Sequence, residues 1–231
     1  MYIISLIIII ILVTLYQSIY KYCEQIKIYK NQYRKKNINV LIIGGTHGNE
    51  PAGTHALINF KKKIYDYPNI NLTIIPEANK CGLKLNTRYL PHRLYDRDLN
   101  RNYKDNPEYN IESVIYKEVI KNDIIIDLHE GYSFHKLNEN SVGQTIYCNN
   151  PSLKGICNNT VNNINKNIKE YHVKFTCLNN LKIIKNSMRD ICDKLNKTYF
   201  LIETAGQNDI QSLNIRVRQQ LYIIDSILSD I

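Results

Sequence analysis

Two histidines and two glutamates stand where apolar runs give way to polar residues, and their types suit metal-assisted hydrolysis. The first group is Gly44-Gly45-Thr46-His47-Gly48-Asn49-Glu50. The glycines let the chain turn sharply, and residues three apart at the start of a helix face the same way. His47 and Glu50 can therefore offer a nitrogen and an oxygen to one cation. His129 follows the apolar run Ile124–Leu128 directly, and Glu203 follows Tyr199–Ile202 in the same manner. Two histidines and one glutamate form a common catalytic zinc set that leaves a position for water. His-x-x-Glu alone is a weak signal, and the second histidine at a strand end strengthens it. A glutamate closing an apolar strand is costly unless it is paired or used. A general base that takes a proton from metal-activated water gives Glu203 such a use.

Between these groups lie Arg88, Arg93, Arg97 and Arg101, with Asn100 beside the last. A guanidinium suits a planar carboxylate and can also stabilise a developing oxyanion. Surface charge on a long loop accounts for any single one of them equally well. Glu130 adjoins His129, but strand neighbours point to opposite faces, so it is expected to point away from the metal. His55 and His135 have no partner at ligand spacing and read as structural.

The elements that must position these residues are legible as runs. Asn39–Ile43, Asn71–Ile75, Asp123–Leu128, Gln144–Cys148 and Tyr199–Ile202 read as strands, rich in β-branched residues. Ala52–Tyr65, Ile111–Ile120, Asn158–Glu170 and Ile210–Leu228 read as helices, the first opened by Pro51. Residues 77–110 are polar and hold no strong element, and loops of this length in compact domains usually carry function. Strands alternating with helices predict an α/β fold with a mixed, largely parallel sheet, whose sites gather at the carboxyl ends of strands.

Residues 1–20 contain no charged side chain, and about 20 apolar residues suffice to cross a bilayer. An uncleaved anchor is favoured over a signal peptide, because no Lys or Arg precedes Lys21 and no small-residue cleavage site follows. Residues 21–36 then hold Lys21, Lys27, Lys30, Arg34, Lys35 and Lys36 against Glu24, which is more than half of the formal charge of +9. The positive-inside bias would keep the rest of the chain on the cytosolic side, and a solvated linker explains the same charges. Because the remaining charge is small and the 18 tyrosines are spread along the chain, no nucleic-acid partner is expected. Cys23, Cys81, Cys148, Cys157, Cys177 and Cys192 form no C-x-x-C pair, and a domain of this size needs no staples, so buried free thiols are expected.

Four motifs in order, GGTHGNE, DLNRNY (Asp98–Tyr103), DLHEG (Asp127–Gly131) and LIETAGQ (Leu201–Gln207), resemble the succinylglutamate desuccinylase/aspartoacylase family. That family shares fold and mechanism with the zinc carboxypeptidases. The resemblance runs from about Asn39 to Gln220. It implies one zinc per chain on His47, Glu50 and His129, with Glu203 activating water. It implies that Asn100 and Arg101 grip a substrate carboxylate and that Arg88 stabilises the oxyanion. The stretch from Tyr89 to Asp98 is longer than in aspartoacylase, which makes Arg97 a rival for that last role. Asp127 is expected to orient a ligand. The chain ends about where the hydrolase domain should, so aspartoacylase's C-terminal β domain is expected to be missing.

The expected organisation is a transmembrane anchor (1–20), a basic juxtamembrane linker (21–38) and a zinc hydrolase domain of zinc-carboxypeptidase-like fold (39–231). The expected protein is a single-pass membrane amide hydrolase acting on a small acylated amino acid. The alternatives are a zinc carboxypeptidase acting on peptides and a non-catalytic metal-binding membrane protein.

Overall fold

A computed structural model describes residues 2–31, 37–105 and 107–231. The elements in chain order are α1 (Tyr2–Cys23), β1 (Tyr29–Lys30), β2 (Ile38–Ile43), α2 (Pro51–Phe60), β3 (Ile70–Ile75), α3 (Lys80–Lys84) and α4 (Asn110–Lys121). They continue as β4 (Ile124–Gly131), β5 (Thr145–Cys148), α5 (Lys154–Asn165), β6 (Thr176–Leu178), α6 (Met188–Lys194), β7 (Thr198–Ala205) and α7 (Leu213–Asp230).

The seven strands form one sheet in the order β1-β3-β2-β4-β7-β5-β6. The pairs β2–β3, β2–β4, β4–β7 and β5–β6 are parallel, and β1–β3 and β5–β7 are antiparallel. This is the mixed, largely parallel α/β sandwich expected from the alternation of strand and helix runs. The central strands are buried on both faces, which is why they read as continuous apolar runs rather than as alternation. Their odd and even residues feed two separate cores. Val40, Ile42, Ile126 and Ile202 pack with Leu57 of α2, Val161 of α5 and Ile223 and Ile227 of α7. Leu41, Ile43, Ile125 and Leu201 pack on the other face with Ile111 and Ile115 of α4 and Ile191 of α6.

α1 stands apart, with the side chains from Ile4 onward exposed along most of its length. Its segment Ile4–Cys23 is long and apolar enough to cross a membrane and is not buried against the rest of the chain. Part of the stretch read as a linker is built into the fold: Tyr29 and Lys30 pair with Ile74 and Thr73 of β3 at the sheet edge. Arg34, Lys35 and Lys36 of the basic cluster lie outside the described residues.

The cysteines correct the expectation of free thiols. Cys23 bonds to Cys81 and Cys157 to Cys177, while Cys148 and Cys192 are free and buried. Sequence separations of 58 and 20 residues carry no pairing information, and only the fold brings these atoms together. The Cys23–Cys81 bond ties the end of α1 to α3. Beside it Glu24, only 5 % exposed, accepts hydrogen bonds from Arg93, whose guanidinium also binds Glu112.

Candidate active site

Three segments meet at the carboxyl ends of β2, β4 and β7. The chain leaves β2 through Gly44 and Gly45, and Gly45 has φ +68°, where L side chains are strained. A Cβ on Gly48 would meet the Gly82 carbonyl carbon at 2.0 Å, so the loop packs directly on the α3 backbone. The Glu50 amide donates to the His47 carbonyl at 3.2 Å, which closes a turn and places both side chains on one side. Glu50 caps α2, and Pro51 takes the first helical position, where its missing N–H costs nothing. β4 and β7 run on past their apolar residues to Gly131 and Ala205, so His129 and Glu203 lie within the strands rather than after them.

The structure brings His47, Glu50 and His129 together. One ligand atom from each lies within 4.8 Å of the others, and all three side chains are buried. His47 Nδ1 is 2.9 Å from Glu50 Oε1, and His129 Nδ1 is 2.8 Å from Glu50 Oε2. The other ring nitrogens face carboxylates: His47 Nε2 is 3.2 Å from Asp98 Oδ1, and His129 Nε2 is 3.0 Å from Asp127 Oδ2. Imidazoles held by a carboxylate on one nitrogen and turned inward with the other are what metal-ligating histidines show. Tyr199 donates to Asp127 Oδ2 at 3.1 Å and fixes that carboxylate in turn.

The electrostatics match. Burial opposes ionisation of Glu50, yet the two histidines outweigh it and hold the carboxyl well below its usual range. Burial disfavours a charged His129, but Asp127 and Glu50 raise its pKa well above the ordinary value. The donor set, its burial and its carboxylate backing fit a metal ion.

Glu203 pairs in register with His129 across β4 and β7, so the two side chains share a face. It is 7 % exposed, and among the described residues its Oε2 has no hydrogen-bond partner. Burial is the main reason that its carboxyl is pushed up to about 8. Glu130 has the opposite orientation: it accepts from the Ala52 amide at 2.6 Å and pairs with Arg216.

Arg88, Asn100 and Arg101 line the same cavity of about 420 Å³ as His47, Glu50, His129 and Glu203. The Arg88 Nη1 donates to Glu50 Oε1 at 3.3 Å, and its Nε donates to Asp98 Oδ2 at 3.1 Å. Asn100 accepts from the Met188 amide at 2.8 Å, so the loop side chain also anchors α6. The other two arginines lie elsewhere. Arg97 is exposed and sits over the Tyr89 ring, and Arg93 is spent on Glu24 and Glu112. His55 is exposed, and His135 Nδ1 is 2.8 Å from the Ser141 carbonyl oxygen.

Two residues at the site were not singled out from sequence. Asp98 holds His47 and Arg88, and burial is outweighed by His47 and the arginines, so its carboxyl is held well below the usual range. Gln207 Nε2 donates to Glu50 Oε1 at 3.0 Å and to the Glu130 carbonyl at 2.7 Å. Both lie inside motifs already noted, DLNRNY and LIETAGQ, and that was the signal available.

The fold is zinc carboxypeptidase-like. Product-bound cell shape determinant protein Csd4 from Helicobacter pylori superimposes with a TM-score of 0.75 at 21 % identity, covering 89 % of this chain and 55 % of that one. The mDAP-bound form of the same protein, a D,L-carboxypeptidase, gives 0.71 at 22 %, covering 85 % and 51 %. A provisionally assigned metallopeptidase from Shewanella denitrificans gives 0.65 at 17 %, covering 89 % and 79 %. The chain thus spans about half the length of Csd4. Residues 36–138 match the succinylglutamate desuccinylase/aspartoacylase catalytic domain, so the resemblance read from the motifs holds. The matched stretch contains His47, Glu50, Arg88, Asn100, Arg101 and His129, and Glu203 lies beyond it. No curated protein matches the chain.

Proposed function

We propose that this protein is a zinc-dependent amide hydrolase that removes an acyl group from a carboxylate-bearing amino acid, held at a membrane by α1. The observation that carries this reading is the convergence of His47, Glu50 and His129 with an unpartnered, buried Glu203 on the adjoining strand. His47, Glu50 and His129 would hold the metal. When bound, zinc polarises the scissile carbonyl and makes water acidic enough to react near neutral pH.

The remaining work belongs to the chain. Glu203 takes the proton of the attacking water and returns it to the leaving amine. Its raised pKa makes it a stronger base once ionised and an acid of suitable strength once protonated. Arg88 donates to the oxygen that gains charge, from a position already fixed by Asp98. Arg101 and the free amide hydrogens of Asn100 bind the substrate carboxylate. Asp98 and Asp127 keep both histidines turned toward the metal.

A second reading is a carboxypeptidase acting on short peptides. The cavity favours it, because Tyr132, Leu181, Lys182, Ile184 and Arg189 extend the lining beyond what a small acyl amino acid would touch. Hydrolysis of a panel of N-acyl amino acids against short peptides by the zinc-loaded full chain separates the two. Turnover of acyl amino acids alone supports the first reading, and turnover of peptides alone supports the second. Turnover of neither contradicts both.

A further inference from the structure

We infer that the loop His92–Tyr95 is a second membrane contact, seated beside α1 in the outer part of the bilayer, at the headgroups and the acyl chains just beneath them. The inference rests on the reading of α1 as a membrane span. Four observations place the loop. Tyr16 donates its hydroxyl to the His92 carbonyl at 3.2 Å, and the Tyr20 ring packs edge-on against His92 at 5.2 Å. Tyr16 lies seven residues before Cys23, which at about 1.5 Å per residue puts it about 10 Å below the end of α1. A span of 20 residues is only about 30 Å long and matches the hydrocarbon core with nothing to spare. A loop at the height of Tyr16 therefore cannot stay clear of the bilayer.

The chemistry of the loop suits that depth. Its tip is Leu94-Tyr95, 82 % and 79 % exposed, among the most exposed large apolar side chains of the chain. A Leu–Tyr pair bare to water is unfavourable, and at the interface it is what aromatic belts and inserted loops are made of. An apolar groove lined by Ile19, Tyr22, Leu85 and Pro91 continues from α1 toward the loop. The Nζ atoms of Lys80 and Lys84 lie over the Tyr22 ring at 3.8 and 4.6 Å and present cations where anionic headgroups sit.

The height is fixed rather than incidental. The Cys23–Cys81 bond ties the end of α1 to α3, and Glu24 binds both His92 and Arg93. The base of the loop is closed by the Leu90 amide donating to the Arg97 carbonyl at 2.8 Å. Just outside that base stand Arg88 and Asp98, which touch the candidate metal cluster. One loop thus has its tip at the membrane and its base next to Arg88 and Asp98 of the candidate site.

The test uses the full chain in vesicles of mixed phosphatidylcholine and phosphatidylglycerol. An environment-sensitive dye is placed in turn at Leu94→Cys, at Ile10→Cys within α1, and at Leu137→Cys on a distant exposed loop. All three positions are exposed, so the substitutions leave the core untouched. Lipids brominated near the headgroup are expected to quench the dye at 94, with iodide quenching several-fold weaker there than at 137. Lipids brominated deep in the acyl chain should quench the dye at 10. If position 94 is as open to iodide as 137 while 10 is quenched by lipid, the anchor stands and the loop contact is wrong. If position 10 is also open to iodide, the span itself fails, and the loop contact fails with it.

Discussion

His129 and Glu203 pair in register on the neighbouring parallel strands β4 and β7, and both line the cavity that holds His47 and Glu50. Neighbouring parallel strands hold paired residues at fixed spacing, so this relationship places a buried carboxylate beside the candidate metal ligands without help from any loop. Removing that carboxylate while keeping its shape should separate chemistry from binding. Glu203→Gln is expected to lower kcat by about 10²–10⁴-fold, with KM and zinc content little changed, as measured by steady-state kinetics and elemental analysis. Activity equal to wild type would take Glu203 out of the mechanism.

The pH profile follows from the same burial. Glu203 is pushed up to about 8, and the positive charge of a bound zinc pulls it back toward the ordinary carboxylate range. Below its pKa the carboxyl is protonated and cannot accept the water proton. The rate is therefore expected to fall as pH drops, with an apparent pKa between about 4.3 and the metal-free position. A kcat/KM that stays flat down to about pH 3.5 would oppose this assignment.

Arg88 and Arg101 line one cavity but should fail differently. If Arg88 stabilises the oxyanion as proposed, Arg88→Ala should cost about 10²–10³ in kcat. Arg101→Lys keeps the charge but loses the paired donors that fit a carboxylate, so KM should rise more than kcat falls. A kcat effect for Arg101 and a KM effect for Arg88 would reverse the two roles.

The junction between α1 and the domain should be sensitive to acid. Burial opposes ionisation of Glu24, but hydrogen bonds from His92 and Arg93 outweigh it, so its carboxyl sits below the ordinary value. A depressed pKa contributes stability that is complete above the unfolded value, about 4.3, and is lost as pH falls through the folded value. Arg93→Leu would leave Glu112 buried without its cation and Glu24 with only His92 and the Ile111 amide, at a cost of about 3–5 kcal/mol. Chemical denaturation at pH 7 and at about pH 3 checks both: wild type should lose stability between them, and the variant should start low. Equal stability of variant and wild type at pH 7 would show that the network contributes nothing.

The Cys23–Cys81 and Cys157–Cys177 bonds should appear as linked peptides when the protein is digested without reductant. Each should contribute about 2–4 kcal/mol, seen as a lower Tm after reduction. Such bonds persist in oxidising compartments, so their recovery would oppose the positive-inside reading of the lysines near α1. Recovery of all six cysteines as free thiols from freshly prepared protein would remove that argument.

How much was legible in the sequence depended on how local the cause was. The runs around Ile42, Ile126 and Ile202 became central strands because burial on both faces demands continuous apolar residues. Their polar ends, His129 and Glu203, read as strand exits although the pairing continues through them. α2 proved shorter than its apolar spacing suggested, because a 3-10 turn takes over at Lys61–Lys63. β1, with two residues, and β6, with three, are too short for periodicity to register and exist only because the sheet edge offers partners. α6 also went unread, although Ser187 accepting from the Asp190 amide is a capping signal visible at short range. At the site, spacing alone suggested His47 with Glu50. The parts played by Asp98, Gln207 and Glu24 come from contacts with residues far along the chain, and no local pattern carries them.

The central claim is that His47, Glu50 and His129 share one divalent ion. Its most direct test is the zinc content of the purified full chain, by elemental analysis after dialysis against zinc-containing buffer, for wild type, Glu203→Gln and His129→Ala. Roughly one zinc per chain is expected in the first two, and far less in the third, whose site has lost a ligand. Zinc bound equally well by His129→Ala, or absent from wild type, would contradict the account.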